Sequence, residues 1–175
     1  MEVPTLRLET ARIILLPWDS QDWLTFRHIA TDPRVMRYIS AGVPWPDKQV
    51  IAFVDRQRLH FEKLSYCLWK LMVKGDLKLA GFCGLQPLDD LDGIEIGWWL
   101  APKHWGKGIA TEAARAAMQD GFERCGLERI VAVALQENRA STRIMEKLGM
   151  KYERDVKHHG FDVVLYAIES ACGSK

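Results

Sequence analysis

Apolar and polar positions along the chain alternate in two periods, and the switches between them outline the elements. Arg12 to Pro17, RIILLP, is a short apolar run closed by proline and predicts a strand. Asp19 or Ser20 then offers an N-cap for a helix reaching about Ala30. Asp32 before Pro33 predicts a second helix start, and Asp47 opens a longer amphipathic helix through QVIAFVDRQRLHFEKL, with AGVPWP as the loop between them. Ser65–Val73 and Leu77–Gln86 are apolar runs joined by Lys74-Gly75-Asp76, the chemistry of a tight hairpin. Gly93–Leu100, GIEIGWWL, follows an Asp-rich turn as the third strand of that meander and ends at Ala101-Pro102. A glycine loop comes next, then a helix to about Cys125, a strand over Arg129–Leu135 and a helix over Asn138–Leu148. Two closing strands are expected near Tyr152–Val156 and Val163–Glu169. This order predicts an α+β fold with α/β/α layers, a mixed, mostly antiparallel sheet flanked by helices, and βαβ character only in the second half.

Composition narrows the picture. With 48% apolar residues in 175 and no repeat or linker, the chain is expected to be one domain spanning residues 1–175. A formal net charge of +1 supplies no global field, so neither nucleic acid nor an anionic membrane is an expected partner, and anion recognition has to be local. Cys67, Cys83, Cys125 and Cys172 form no metal-binding spacing and read as free thiols in a reducing compartment. The start, MEVPTLRLET, has no basic-then-apolar leader, and no apolar run reaches the ~20 residues of a membrane span, so a cytoplasmic location is expected.

HWGKGIATEA, His104 to Ala113, places two glycines around a lysine at a helix start. Unpaired N–H groups and about half a positive charge make such a start suited to phosphate, and glycine lets an anion approach. A dinucleotide fingerprint fails because Thr111 stands where the third glycine belongs, and a nucleotide P-loop fails because glycine follows Gly106-Lys107. What remains is a local anion cradle with no acidic residue from Ile96 to Thr111, although a lone G-x-G also turns a chain without binding anything. Ala113, Ala117 and Gly121, four residues apart, would let the helix lie close to the sheet.

IEIGWWLAPKHWGKGIATEA followed by ENRASTRIMEKLGM resembles the GNAT superfamily of acetyl-CoA-dependent N-acetyltransferases, most nearly its RimJ/RimL-like branch. LETARIILLPW and DPRVMRYI are similar to that branch too, so the resemblance covers roughly Leu6 to Glu169. It implies acetyl transfer from acetyl-CoA to a primary amine, a protein N-terminus or a small molecule, by direct attack in a ternary complex without a metal. The alternative reading is a CoA-binding sensor or regulatory module that does not catalyse, and homodimerisation is left open. The family's pyrophosphate signature falls on Trp105, Gly108 and Ala110, where Trp105 departs from the usual Arg or Gln. The backbone of Gly106, Lys107, Gly108, Ile109 and Ala110 is then expected to hold the phosphates, with Lys103 or Lys107 replacing the missing side chain.

Further roles are implied for named residues. Glu95 shares one strand face with Gly97 and Trp99 and is either a solvated carboxylate or the general base facing a cleft. Near Trp98, Trp99 and Leu100 the family's strand splays, pantetheine pairs with it, and a backbone N–H near Trp99 or Leu100 meets the oxyanion. Asn138 and Ser141 read as an N-cap and polar first turn, and by resemblance as the turn beside the cofactor, with Ser141 protonating the thiolate. Arg143 and Lys147 are solvated helix charges or contacts to a CoA phosphate; Arg143 is taken as the candidate. Trp98 doubles as core, and Trp45, between Pro44 and Pro46, is the expected wall of the acceptor groove. Asp89, Asp90 and Asp92 would attract a cationic acceptor. His158-His159-Gly160 reads as a hairpin tip, its adjacent histidines poorly placed for a metal.

Overall fold

A computed structural model describes residues 6–76 and 78–171 of the chain. Eight strands form one sheet: β1 (Leu8–Glu9), β2 (Ile13–Leu16), β3 (Leu68–Val73), β4 (Leu79–Pro87), β5 (Ile94–Leu100), β6 (Arg129–Ala134), β7 (Lys151–His158) and β8 (Phe161–Glu169). Their spatial order is β1-β2-β3-β4-β5-β6-β8-β7, antiparallel throughout except for β5 beside β6. A parallel pair needs a crossover, and α4 (Ile109–Glu123) supplies it. The other helices are α1 (Trp23–Ala30), α2 (Pro33–Met36), α3 (Asp47–Leu64) and α5 (Arg139–Lys147). The expected α+β architecture is therefore the observed one.

Strand alternation divides the helices between the two sheet faces. Phe82 and Trp99 are cross-strand partners in β4 and β5, and their rings meet Phe26 of α1, while Phe82 also meets Phe53 of α3. The rings of Trp18, Phe26, Phe53, Phe82 and Trp99 form a continuous cluster with centroids 5.1–6.1 Å apart. Such pairs contribute about 0.5–1.5 kcal/mol each beyond burial. On the opposite face α4 presents Ile109, Ala113, Ala117 and Gly121, all buried. A Cβ on Gly121 would come within 2.6 Å of Leu85 Cδ1, so the small-residue stripe does bring this helix close to β4.

Two expectations change. The first helix is capped at Asp22 and begins at Trp23, two or three residues later than expected, because the carboxylates of Asp19 and Asp22 are both spent on the Lys70 ammonium at 2.8 Å, and Asp22 also accepts from the Asp19 N–H. β1 had no signal, since two residues are too few to alternate. Leu77, the expected first residue of a strand, and Cys172 lie outside the described residues. Cys67 and Cys83 are buried free thiols, and burial pushes both well above the ordinary thiol range. Among the described residues no helix is long and apolar enough to cross a membrane.

Candidate active site

The glycine loop is built on two left-handed backbone positions, Gly106 at φ +68° and Gly108 at φ +74°. Gly108 is the N-cap of α4, so the loop turns directly into the helix and aims the first-turn N–H groups outward. A Cβ on Gly108 would meet Arg12 Nη2 at 3.4 Å, while one on Gly106 would meet nothing within 4 Å. Arg12, at the head of β2, fastens this loop. Its Nη1 donates to the Lys107 carbonyl at 2.8 Å, and its Nε pairs with Glu112 in the first turn of α4 at 2.6 Å. Burial alone would raise the Glu112 carboxyl, but donors from Thr10 and Arg12 outweigh it and hold it below the usual range.

The side chains of Lys103 and Lys107, the expected replacements for the missing cation, are both engaged outside the cleft lining. The Lys103 ammonium is held by Asp76 of the β3–β4 turn, and Lys107 Nζ folds back onto the Lys103 carbonyl at 2.7 Å. Trp105, where the family has Arg or Gln, donates its indole N–H to the Leu100 carbonyl at 2.8 Å and closes the end of β5. It is half exposed and faces a cleft of about 550 Å³. The cations lining that cleft come from elsewhere: Arg34, Arg37, Arg143 and Lys147. Arg34 is paired with Asp32 at 2.6 Å, whereas no carboxylate pairs with Arg143 or Lys147 among the described residues.

β5 and β6 pair in parallel at Glu95 and Val131, with no further register pair among the described residues, and the opening beyond them holds the site. The large cleft lies along Trp98, Trp99 and Leu100, the glycine loop and the start of α5. A second cleft of about 250 Å³ lies beyond it, walled by Trp45, Phe53, Phe82, Glu95 and the β7–β8 hairpin. Tyr38, Ile39, Trp98, Trp99, Asn138 and Ser141 line both. Asn138 caps α5 through Oδ1, which accepts from the Ser141 N–H at 3.3 Å, leaving the serine side chain where the two clefts meet. Trp45 sits 4.7 Å from Trp99, centroid to centroid, as the outer wall of the second cleft.

Glu95 faces this second cleft rather than open solvent. Its register partner Gln86 donates to Oε2 at 3.0 Å. Burial drives the Glu95 carboxyl above its ordinary value; the Gln86 hydrogen bond and charge on His158 or His159 pull it down, and Asp89 pushes it up. Of the three aspartates of the preceding turn, Asp89 and Asp92 are exposed and Asp90 is taken up by the β7–β8 hairpin. Asp90 accepts from the His159 N–H at 2.7 Å and lies 2.6 Å from His158 Nδ1. The tip expected at His158-His159-Gly160 is present, with His159 at φ +48°. That turn overrides the separation expected of adjacent histidines: their ring centroids are 4.1 Å apart, and ligand-type atoms of Asp90, His158 and His159 lie within 4.8 Å of one another. Hydrogen bonding among the three accounts for the arrangement.

The structure thus brings Trp45, Glu95, Trp98, Trp99, Leu100, Trp105, Gly106, Gly108, Ile109, Ala110, Asn138, Ser141 and Arg143 to the walls of the two clefts, and does not bring Lys107 there. Arg12, Arg37 and Gln86 carried no signal that singled them out. Gln57 went unremarked but was findable: it occupies the buried stripe of α3 with Val50, Phe53 and Val54, where an apolar residue is the rule.

A sequence profile described as "Acetyltransferase (GNAT) domain" matches residues 12–151. The "Uncharacterized N-acetyltransferase YnaD" of Bacillus subtilis (strain 168) is 30% identical over 149 residues, 85% of this chain and 84% of its own. The "Spermidine N(1)-acetyltransferase" of Escherichia coli (strain K12) is 27% identical over 84% of this chain and 77% of its own. A crystal structure of an acetyltransferase (GNAT family) from Bacillus anthracis superposes with a TM-score of 0.78 at 29% identity, covering 94% of this chain and 98% of that one.

Proposed function

Because the chain belongs to the GNAT acetyltransferase family, we propose that it works as one catalytic domain, moving an acetyl group from acetyl-CoA directly to a primary amine held in the smaller cleft. The observation that carries this reading is the junction of two clefts at the divergence of β5 from β6, with an anion-suited helix start on one side and a half-buried carboxylate on the other. Acetyl-CoA fits the first side: Gly106 and Gly108 leave backbone N–H groups bare for the pyrophosphate, and Arg143 and Lys147 are available to its phosphates. When bound it supplies an activated thioester.

The remaining work falls to the chain. Glu95 accepts the proton of the attacking ammonium or amine, and its raised carboxyl suits it to that task near neutral pH. A backbone N–H at Trp99 or Leu100 stabilises the oxyanion. Ser141, at the meeting of the clefts, passes its hydroxyl proton to the thiolate as it takes one from solvent. A thiol of pKa ~8.5 leaves as thiolate at a cost of about 2 kcal/mol at pH 7, so that help is modest.

For the acceptor, we favour an α-amino group or another weakly basic amine over an internal lysine side chain. An α-amine of pKa near 7.7–8.0 is roughly 10–15% neutral at pH 7 and lysine about 0.04%, a proton-removal advantage of about 3.4 kcal/mol. Aromatic walls at Trp45, Phe53, Phe82 and Trp99 suit an acceptor with an apolar flank. Release of free CoA thiol from acetyl-CoA tests both levels when the acceptors are a free-N-terminus peptide, the same peptide N-blocked but carrying lysine, and a small polyamine. We expect thiol release that depends on the acceptor and is fastest with the free terminus; a faster polyamine, whose primary amines are about as basic as lysine, would overturn the weakly basic acceptor class. No acceptor-dependent release with a broad amine panel would overturn the transferase reading, and preference for the blocked lysine peptide would overturn the acceptor class alone.

A further inference from the structure

One chain of side-chain amides runs from the core of α3 to the acceptor cleft, and its polarity is fixed at the inner end. Gln57 is fully buried, and its Oε1 accepts from the Leu68 backbone N–H at 2.9 Å. A backbone N–H can only donate, so the Gln57 carbonyl must face it and its NH₂ must face the other way. That NH₂ donates to Gln86 Oε1 at 3.2 Å. Gln86 is thereby oriented in turn: with its carbonyl occupied, only its NH₂ is left for the cleft, and this donates to Glu95 Oε2 at 3.0 Å. Reversing Gln86 would set two NH₂ donors against each other at the Gln57 end and two acceptors against each other at Glu95.

We propose that Gln57 and Gln86 are positioning residues for the acetyl-transfer step, a directional relay that forces an N–H donor onto the Glu95 carboxylate and holds that carboxylate toward the acceptor. The inference rests on the reading of Glu95 as the base. Donation to the charged form favours it, so the relay opposes the burial that disfavours a carboxylate on this face. It acts within a fixed electrostatic frame: His158 and His159 from the β7–β8 hairpin and Arg56 from α3 also border the cleft, Asp89 from the turn before β5 acts on Glu95 through its charge, and Asp90 is engaged by the two histidines. Gln86 is half buried and Gln57 wholly so, which separates the two variants in folding risk.

The test is a carboxyl-carbon NMR titration of ¹³C-glutamate-labelled protein, with Glu95 assigned through Glu95→Gln, alongside the pH profile of acetyl transfer. In Gln86→Met, similar in size but without the donor, the Glu95 titration is expected to move at least about one pH unit upward. Gln57→Met should move it the same way by less, since Gln86 becomes free to reorient. Should Gln86→Met not fold, Gln86→Asn, whose shorter side chain retracts the amide from Glu95, carries the same expectation. A folded Gln86→Met or Gln86→Asn protein in which Glu95 titrates as in the parent overturns the relay. If the titration moves and the acidic limb of the rate profile moves with it, both readings stand. If the titration moves and the limb does not, the relay stands and Glu95 is not the base.

Discussion

The two clefts are made of different material. The larger takes its character from main chain: two left-handed glycines, the bare start of α4 and a length of β5 that is paired with β4 but not with β6. The smaller is made almost wholly of side chains delivered by α3, β4, β5 and the β7–β8 hairpin, elements far apart along the chain. Backbone offers the same N–H to any anion, so a main-chain cleft suits a ligand common to many relatives. Side chains can be exchanged one at a time, so on the proposed reading acceptor choice would reside in the side-chain cleft.

Removing Glu95, the one carboxylate among the described residues of the side-chain cleft, should have the largest effect. Glu95→Gln is expected to lower turnover at pH 7 by about 10²–10⁴-fold. Burial raises the Glu95 carboxyl, so activity in the parent should climb with pH through a limb above the usual carboxylate range. The variant should lose that limb and suffer less at pH 9, where the amine sheds its proton unaided, than at pH 6.5. Equal loss at both pH values would make Glu95 structural.

The main-chain cleft should break next most severely, and through backbone. Gly108→Val puts a branched side chain at φ +74° with its Cβ against Arg12, and should weaken CoA binding at least about tenfold, ~1.4 kcal/mol, by calorimetry. Near-normal binding by the folded variant would remove the loop assignment. Trp45→Ala sharpens the contrast: acceptor KM should rise roughly fivefold, about 1 kcal/mol, while the Kd for CoA stays within error. A matching loss of CoA affinity would mean that the two clefts are not separable. The smallest effect is expected from Arg12→Ala, since exposed ion pairs contribute about 0.2–1 kcal/mol: a two- to threefold loss in CoA affinity, with acceptor KM unchanged.

The same contrast explains what could be read in advance. Main-chain features announce themselves locally, so Gly75, Gly106, Gly108 and the Asn138 cap all stood out by residue type, and the β3–β5 meander followed from alternation. Asp76 and Arg12 did not, because what each does depends on a partner across the sheet: Asp76 neutralises Lys103, and Arg12 reaches Lys107. A count of acidic residues along the loop therefore missed Asp76 and Glu112, which the fold places against it. Asp90 was misjudged for the same reason, its carboxylate being taken up by a hairpin 68 positions away. Gln57 lies between these cases, since a glutamine on an otherwise apolar stripe is a local irregularity whose cause is remote.

Arg12 and Glu112 stand 100 positions apart, yet their pairing fixes the loop from which α4 starts. A contact that closes so long a stretch forms only after the segments between have been gathered, because the entropy of closing the loop is lost before the contact returns anything. The order of events during folding follows from that clasp: the β3–β5 meander, local in sequence, should assemble first, and the glycine loop should take its final shape only when β2 has joined the sheet edge. Pulsed hydrogen exchange should find the amides of residues 106–110 protected later than those of β4, and simultaneous protection would show that the loop sets without its clasp. The part of the molecule simplest to spot in the sequence would then be among the last to exist in the folding chain.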